Sequence, residues 1–471
     1  NMADCCFDGV YIHMSYRMVL TGRMLSPITN RRTDEFGGSF ENRIRFPLLL
    51  CKRIKELCGR NFIIEASVSG QDIEPEGWSL DDTVAFGRAA EGLIDILTLR
   101  SVELDNQHPT GFAKSRTPFL YMAEYVKKAG VPQAVAASAG FFDPKDCEEA
   151  LASGKADLLS MARAYVSNPN YGRLLEQGKP EEIVPCLRCN KCHTGNHNLT
   201  VCVVNPRFGS EKWMDRLIVP VEGKKRVAII GGGPAGMKAA ITAAERGHQV
   251  DLFEKTDHLG GMIDHSRYAA FKWPMLNLLR YFERKVNESP LITVHLDCAP
   301  EPERLSAQDY DVVIAAVGSQ PVVPPIPGIS RAIPAVKAFG HEEFVGENVA
   351  IIGGGEIGVE TGLHLAQLGR QVTVIEMKDT AAEEAKRVHY YNMFMDAVEE
   401  YAGNLHILLN AACTQVTAQG LSYRDDQGEL HTVEAETVLL AAGMKPDTAT
   451  AIAYADCGKQ FFAIGDCGTM G

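Results

Sequence analysis

Long apolar runs, a positive net charge and a secretory pattern are all lacking in this chain of 471 residues. No apolar run reaches the ~18 residues that span a bilayer, and the first residues do not resemble a signal peptide. The net charge of −13 argues against nucleic acid as a partner. We therefore expect a cytoplasmic protein that acts on a small-molecule substrate, with no membrane partner, and the sequence leaves a homo-oligomer open.

The residues that are present indicate a globular protein with several domains. Apolar residues make up 45% and charged residues 23%, as in ordinary soluble domains, and the length predicts two to four domains. Thirteen cysteines without extracellular features indicate a reducing compartment, where thiols bind metal or are buried. We also expect both ends of this sequence to fall within folded domains. At the N-terminal end, a strand pattern begins near residue 10 without a preceding helix or cap.

Residues 1–178 alternate between short apolar runs and amphipathic stretches. This alternation predicts parallel strands, either in a (β/α)8 barrel or in an open doubly wound sheet, and does not distinguish the two. The predicted strands cover residues 9–13, 62–68, 95–99, 134–138 and 157–162, and the predicted helices lie near 40–58, 79–92, 118–129, 144–153 and 168–177. Five strands are fewer than the eight of a closed barrel, so in a barrel the other three would precede residue 1.

An internal repeat occupies the second half of the chain. Residues 227–236 read VAIIGGGPAG and residues 349–358 read VAIIGGGEIG, and each copy is followed by an acid at the end of a strand pattern, Glu254 and Glu376. The first glycine permits a tight turn, the second lets the backbone approach a pyrophosphate, and the third lets the helix pack on the strand. These glycines are Gly231, Gly233 and Gly236 in the first copy and Gly353, Gly355 and Gly358 in the second. The repeat predicts two tandem dinucleotide-binding folds, with each acid on a ribose.

Two further motifs indicate which cofactor binds to which copy. A glycine turn at Gly261 and a Gly-Asp pair ending in Asp466 offer distant contacts that suit the long FAD molecule, so the first copy is expected to bind FAD. The second copy is then expected to bind the nicotinamide cofactor. Glu376 would repel a 2′-phosphate and favours NADH, although Arg370 and Lys378 lie nearby and leave NADPH open.

Four cysteines lie close together between the two halves of the chain. Cys186, Cys189, Cys192 and Cys202 have the spacing x2, x2, x9, which suits a cubane iron–sulfur cluster with four thiolate ligands. A structural zinc is the alternative, although zinc sites more often pair two separated CxxC hooks. His193 and His197 share this segment and are interpreted as solvated residues rather than ligands.

A phosphate site is predicted near the end of the first domain. Gly140 follows one predicted strand and Arg163 ends the next, and in barrels the loops after the last two strands commonly bind phosphate. A surface ion pair is the alternative role for Arg163.

Several segments resemble the NADH:flavin oxidoreductase (old yellow enzyme) family. They are residues 7–13 (FDGVYIH), 25–43 (LSPITNRRTDEFGGSFENR) and 150–163 (ALASGKADLLSMAR), the last similar to the family's last barrel strand. Residues 186–206 are similar to the cluster loop of its iron–sulfur branch, which includes 2,4-dienoyl-CoA reductase, enoate reductase, trimethylamine dehydrogenase and the bile-acid-inducible steroid oxidoreductases. The resemblance implies FMN and one [4Fe–4S] cluster besides FAD and NADH, in a partial (β/α)8 TIM barrel followed by the cluster loop and tandem Rossmann-like FAD and NAD(P) domains.

The resemblance also implies catalytic residues, with departures from the family pattern. The family places His-x-x-His or His-x-x-Asn and a nearby tyrosine at the end of a barrel strand. Here His13 matches, Tyr16 takes the second position and Met18 stands in place of the tyrosine. His108 lies where the reductases carry a catalytic-loop histidine. Ser67 stands where the family presents an arginine to the flavin, and Arg100 is a candidate for the missing cation.

The resemblance implies the reduction of a C=C bond conjugated to a carbonyl, with electrons from NADH passing through FAD and the cluster to FMN. His13 would donate to the carbonyl oxygen, and Tyr16 and His108 are both candidates for the proton donor. Two alternatives remain open: an amine or steroid dehydrogenase of the same family, and an electron-transfer (diaphorase) module for a partner protein.

The expected domains are a flavin barrel part at 1–180 and a cluster segment at 181–215. They are followed by an FAD domain at 216–335 and 430–471, and by an NAD(P) domain at 336–429.

Overall fold

The computed structural model describes residues 5–101, 109–193, 201–221, 223–387 and 390–468. The chain divides into two compact units, Asn1–Arg188 and Cys189–Gly471. None of the helices in these described ranges is long and apolar enough to cross a membrane.

The first unit is built on one parallel sheet. Its strands are β1 (Gly9–Met14), β2 (Ile63–Ser69), β3 (Ile96–Arg100), β4 (Ala134–Ser138) and β5 (Leu158–Ser160). Its helices are α1 (Leu20–Leu25), α2 (Phe40–Cys58), α3 (Leu80–Ala89), α4 (Leu120–Lys128), α5 (Pro144–Ala152), α6 (Arg163–Ser167) and α7 (Tyr171–Glu176). Three of them begin at polar caps, because the side chains of Ser39, Ser79 and Asp143 accept hydrogen bonds from the first turns of α2, α3 and α5.

The order of this sheet identifies a barrel-type arrangement. The strands follow chain order, β1-β2-β3-β4-β5, and all their pairings are parallel. A doubly wound sheet would reverse its strand order at a switch point, and this sheet does not. The expected strand at 157–162 is shorter in the structure, because the chain enters α6 at Arg163.

The two faces of this sheet differ in polarity because successive side chains point to opposite sides. On one face, buried residues such as Ile64, Ala66 and Leu97 pack against the helices in one apolar core. The opposite face is mainly polar: its polar members are Tyr11, His13, Glu65, Ser67, Ser69, Thr98 and Arg100, and Ile63 and Ile96 lie on it too. Of the candidate catalytic residues, His13 lies on this polar face, together with Arg100.

The second unit contains two further parallel sheets and two small antiparallel ones. Its strands are β6 (Arg226–Ile230), β7 (Gln249–Phe253), β8 (Ile292–His295), β9 (Tyr310–Ala315), β10 (Ser319–Pro321), β11 (Ile333–Pro334), β12 (Asn348–Ile352), β13 (Gln371–Ile375), β14 (Leu405–Leu408), β15 (Ala412–Thr417), β16 (Gly420–Arg424), β17 (Leu430–Glu434), β18 (Thr437–Leu440), β19 (Met444–Pro446) and β20 (Gly458–Ala463). Its helices are α8 (Glu211–Leu217), α9 (Pro234–Glu245), α10 (Trp273–Glu288), α11 (Pro302–Ser306), α12 (Glu356–Gln367), α13 (Tyr391–Glu399) and α14 (Thr448–Ile452).

Both parallel sheets of this unit are doubly wound. Their orders are β20-β9-β6-β7-β8 and β11-β18-β12-β13-β14, and each order reverses at the strand that precedes a glycine turn, β6 or β12. Ligands of such sheets bind at this switch point. The sequence repeat therefore corresponds to two folds of the same topology.

The chain returns to the first of these folds later than expected. Strand β18 pairs with β12 in the second fold, whereas the sequence analysis put the return at residue 430. Between β14 and β18 the chain forms an antiparallel meander of β15, β16 and β17, so it completes the second fold before it returns. Only β20 rejoins the first fold, beside β9.

Candidate functional site

Two positions at the junction of β6 and α9 require glycine. Gly231 has φ of +111°, and a Cβ there would lie 2.3 Å from the carbonyl oxygen of Ala316. A Cβ at Gly236 would lie 1.9 Å from the carbonyl oxygen of Gly231, so α9 could not pack so closely on β6. Gly233 faces open space, since the nearest atom to a Cβ there is the Cα of Gly261 at 3.9 Å.

Glu254 holds this turn from the end of β7. Its side chain is buried; Oε2 accepts the N–H of Gly232 at 2.7 Å, and Oε1 accepts both the N–H and the hydroxyl of Thr256 at 2.9 Å. A carboxylate has about four acceptor positions, so these bonds orient Glu254 and leave capacity for ribose hydroxyls.

Two distant segments converge on the start of α9. A Cβ at Gly261 would lie 2.9 Å from the Cα of Gly233, and a Cβ at Gly465 would lie 2.8 Å from the Cβ of Ala235. Asp466, which follows Gly465, is exposed. The open space at Gly233 is thus bordered by the segments that the sequence analysis linked to FAD.

The turn between β12 and α12 repeats this geometry. Gly353 has φ of +99°, a Cβ at Gly358 would lie 2.0 Å from the carbonyl oxygen of Gly353, and Gly355 again faces open space. Among the described residues, the nearest atom to a Cβ at Gly355 is Oε2 of the exposed Glu384, at 3.9 Å.

In the second fold, Glu376 occupies the position that Glu254 has in the first. It is buried, and its carboxylate accepts the N–H groups of Gly354 at 2.6 Å and Lys378 at 2.9 Å. Both cations considered in the sequence analysis are engaged by carboxylates, Lys378 by Glu383 at 2.7 Å and Arg370 by Glu347. Their charges are therefore offset locally.

The sequence analysis missed a buried polar cluster beside the second turn. Glu360 lies on α12 and is 7% exposed; it pairs with Lys272 and accepts the hydroxyl of Tyr390 at 3.0 Å. Burial, and then the charge of Glu360, raise the pKa of Glu356 one turn earlier. The available signal was the pair of acids four residues apart, which places both on one helix face.

In the cysteine motif, two non-glycine residues have positive φ and backbone N–H groups are directed at sulfur. Arg188 and Asn190 have φ of +55° and +59°, and the N–H of Arg188 lies 3.4 Å from Sγ of Cys186. Burial raises the pKa of the Cys189 thiol. A hydrogen bond from the backbone N–H of Lys191 lowers this pKa, and the nearby Cys202 raises it. Such N–H groups suit thiolates that ligate iron.

Among the described residues, three sulfur atoms of the motif are more widely spaced than the ligands of one zinc ion. The sulfur atoms of Cys189, Cys192 and Cys202 do not form a set within 4.8 Å of one another. Tetrahedral zinc with Zn–S bonds of ~2.3 Å would bring any three thiolates within about 4 Å. The side chains of His193 and His197 lie outside the described part of the chain.

Gly140 and Arg163 are connected through a side chain that the sequence analysis did not single out. Gly140 has φ of +87°, and a Cβ there would lie 1.9 Å from the carbonyl oxygen of Arg116. The guanidinium of the half-buried Arg163 lies 4.8 Å from the ring centre of Phe142, and that of Arg188 lies 4.6 Å from it. Burial, and then the charge of Arg163, lower the pKa of Arg188 to about 10, so Arg188 stays positive at neutral pH.

His13 ends β1 on the polar face. Its ring lies 4.4 Å from that of Tyr16, and its Nδ1 is 3.4 Å from Oγ of Ser15. Ser15 also lies 3.2 Å from Oγ of the fully buried Ser67. His108 lies outside the described residues.

Arg100 approaches the same group from the end of β3. It donates to the hydroxyl oxygens of Tyr16 at 3.1 Å and Tyr11 at 3.3 Å. Burial lowers the pKa of His13, and the charge of Arg100 lowers it further. His13 is therefore a neutral imidazole at pH 7, with one N–H to donate.

We expect His13 to titrate below its ordinary value of about 6.5, and Arg100→Met to raise its pKa only part of the way, because burial is the larger cause. Since the folded pKa lies below the unfolded one, the contribution of His13 to stability is full above about pH 6.5. This contribution is lost as the pH falls through the folded value. Histidine ring resonances in an NMR titration measure the shift, with the exposed Arg60→Met as control. An unchanged His13 pKa in Arg100→Met would contradict the charge effect.

Comparison with known proteins gives two family matches. A family model described as NADH:flavin oxidoreductase / NADH oxidase family matches residues 1–182, and one described as pyridine nucleotide-disulphide oxidoreductase matches residues 225–467. Together the two models span most of the chain.

Individual proteins match across both models. Bilirubin reductase of Mediterraneibacter gnavus (strain CC55_001C) is 33% identical over 95% of this chain and 71% of its own length. Cinnamate reductase of Clostridium sporogenes is 29% identical over 93% of this chain and 68% of its own length. A structure of 2-naphthoyl-CoA reductase with 2-naphthoyl-CoA superposes with a TM-score of 0.92 and 27% identity, covering 99% of this chain and 71% of that one.

Proposed function

The chain belongs to the NADH:flavin oxidoreductase / NADH oxidase family, and from this membership we propose that it reduces a C=C bond conjugated to a carbonyl group at the expense of NADH. The observation that carries the proposal is a group of donors: His13 and Arg100 lie on the polar face, and Tyr16 contacts both of them. The names of two relatives, cinnamate reductase and 2-naphthoyl-CoA reductase, refer to compounds in which the ring or alkene is conjugated to a carbonyl.

The side chains on the polar face suit the charge that develops in such a reaction. Addition of hydride at the β-carbon places negative charge on the carbonyl oxygen, and preorganised donors stabilise it. His13 supplies an N–H, and the hydroxyl oxygen of Tyr16 accepts a hydrogen bond from Arg100, which orients the phenol group. We assign His13 to the carbonyl oxygen and Tyr16 to the proton at the α-carbon, with His108 as the competing proton donor.

The family's cofactors are FMN, FAD and NAD(P)H, and some homologues are iron–sulfur flavoproteins. When bound, FMN would supply hydride at the polar face, FAD would accept hydride from NADH, and the cluster would carry single electrons. The space at Gly233 and Gly355, which a Cβ would begin to fill, fits two pyrophosphates.

We assign residues to each cofactor as follows. Those for FAD are Gly231, Gly233, Gly236, Glu254, Gly261 and Asp466; those for NADH are Gly353, Gly355, Gly358 and Glu376; those for the FMN phosphate are Gly140 and Arg163; and those for the [4Fe–4S] cluster are Cys186, Cys189, Cys192 and Cys202.

The proposed domains follow the sheets. The flavin barrel part ends near residue 180 and the cysteine segment near 215. We extend the NADH-binding fold from β11 to β18, since both strands belong to its sheet. We place the enzyme in a reducing cytoplasm, where its thirteen free cysteines would stay reduced.

Glu376→Gln should raise the ratio of kcat/KM for NADPH to that for NADH by about 10-fold, since like charges at an interface disfavour binding. Adding Glu383→Gln should raise the ratio further, because Lys378 would lose its carboxylate partner. Steady-state rates with both nucleotides measure the ratio, and Glu399→Gln, an exposed acid of the same fold, is the control. An unchanged ratio in the double variant would remove the specificity role of Glu376.

The proposed function is tested with the full-length protein purified without oxygen. NADH oxidation is followed with an enoate, an enoyl-CoA and a steroid enone, alongside counts of flavin, iron and sulfide. Consumption of NADH that depends on one of these acceptors supports the reductase. Reduction of flavin by an amine or a saturated steroid would instead indicate a dehydrogenase. NADH oxidation with artificial acceptors alone would indicate an electron-transfer module.

A further inference from the structure

The side chain of Arg188 is buried to an extent that is unusual for arginine. It stands between Cys186 and Cys189 in the cysteine motif, yet it is 2% exposed and is the largest fully buried side chain of the described residues. Arginine is almost never fully buried unless it is paired, so its contacts define a specific local structure.

The contacts of Arg188 connect the cysteine motif to the predicted phosphate turn at Gly140. The two terminal nitrogens of Arg188 donate to the carbonyl oxygens of Arg116 and Gly140, both at 2.9 Å. Its guanidinium also stacks on Phe142. At its other end, the backbone N–H of the same residue donates to Sγ of Cys186.

We propose that Arg188 is a positioning residue that connects the first cysteine of the motif to the phosphate turn at Gly140, so that FMN binding and the geometry of the Cys186 ligand depend on one side chain. The inference rests on the proposed function, which places the FMN phosphate at Gly140 and Arg163.

The bond to Gly140 orients the turn itself. Because a trans peptide directs its C=O and N–H in opposite directions, a Gly140 carbonyl fixed toward Arg188 aims the N–H of Phe141 away from it. Backbone N–H groups are common phosphate ligands. Arg188 therefore controls the direction in which this donor points.

The charge of Arg188 also suits a phosphate. Arg163 and Arg188 approach the same ring, Phe142, and two guanidiniums held together repel each other; the carboxylate of Asp146 offsets part of this repulsion. A phosphate dianion would relieve this repulsion. The planar guanidinium of Arg188 donates to two carbonyl oxygens while it stacks on an aromatic ring. The ammonium group of lysine cannot do both.

The test uses the full-length protein with its FAD site saturated, in wild type, Arg188→Met, Arg188→Lys and the control Arg173→Met, an exposed arginine of the same unit. FMN-depleted protein is titrated with FMN and with riboflavin, which lacks the phosphate. The electron paramagnetic resonance spectrum of the reduced cluster is then recorded.

In Arg188→Met, the affinity for FMN should fall roughly 10- to 100-fold, as expected for the loss of charge-assisted hydrogen bonds. The affinity for riboflavin should change little, and the cluster spectrum should shift. Arg188→Lys should lie between wild type and Arg188→Met, and Arg173→Met should match wild type.

An equal loss of FMN and riboflavin affinity would reduce Arg188 to a structural role, and an unchanged FMN preference with an unchanged cluster spectrum would overturn the inference. If Arg188→Met does not fold, the same ratios in Arg188→Lys decide. Wild-type protein without FMN or without iron would instead refute the proposed function.

Discussion

Gly355→Asp should abolish NADH-driven reduction, and the variant should keep its bound FAD. Gly355 is the N-cap of α12 with φ of −66°, a position that aspartate fills well in proteins, and a Cβ there meets nothing closer than 3.9 Å. The new carboxylate would lie where the pyrophosphate of NADH is proposed to bind. We expect kcat/KM for NADH to fall at least ~100-fold, because like charges brought together in a site cost several kcal/mol.

Two further variants make this result specific. Gly403→Asp adds the same charge in open space in the same unit and should leave the kinetics unchanged. Gly233→Asp should give the converse result, a protein that loses FAD and still binds NADH. Loss of FAD in Gly355→Asp, with FAD retained in Gly233→Asp, would show that the two cofactors are assigned to the wrong folds.

The second large effect is expected at Cys189. Removal of its sulfur in Cys189→Ala takes away a half-buried ligand that lies beside Cys202 and accepts an N–H from Lys191. Iron and sulfide content should fall, and turnover of the conjugated substrate should drop at least ~100-fold, beyond the 10- to 100-fold typical of outer-sphere changes around metals. Reduction of FAD by NADH should continue, because it uses only the two nucleotide turns.

Stopped-flow spectra of the two flavins separate these steps, with iron analysis of the same samples. Cys58→Ala, a half-buried thiol outside the motif, should keep full iron and full turnover. If FMN were reduced at the normal rate in Cys189→Ala, the cluster would not lie on the route to the substrate.

Local patterns in the sequence predicted most of the strands. The expected strand at 134–138 matches β4, and the helix at 40–58 matches α2. Alternation could not choose between a barrel and an open sheet, since both repeat the same strand–helix unit. The choice depends on which strands pair, and the in-order pairing of β1 to β5 leaves no mark in a single sequence.

Long-range contacts account for what the sequence analysis missed. Arg188 meets Gly140 across 48 residues, and Lys272 meets Glu360 across 88. Neither pair has a periodic pattern, because the spacing is set by the folded chain rather than by one helix or strand. The glycine turns could be anticipated because all their requirements, a positive φ and a close helix–strand approach, fall within six residues.

The late return of β20 to the first nucleotide fold has a consequence for synthesis. Strand β9 is made before the whole of the second fold, and its neighbour β20 is made after it. Since chains emerge from the ribosome N-terminus first, β9 must wait with one edge unpaired while an entire module is translated and folds behind it. Unpaired edges attract foreign strands, so chaperones are needed most during this interval, and a translation stop within the inserted module would release a chain prone to aggregate.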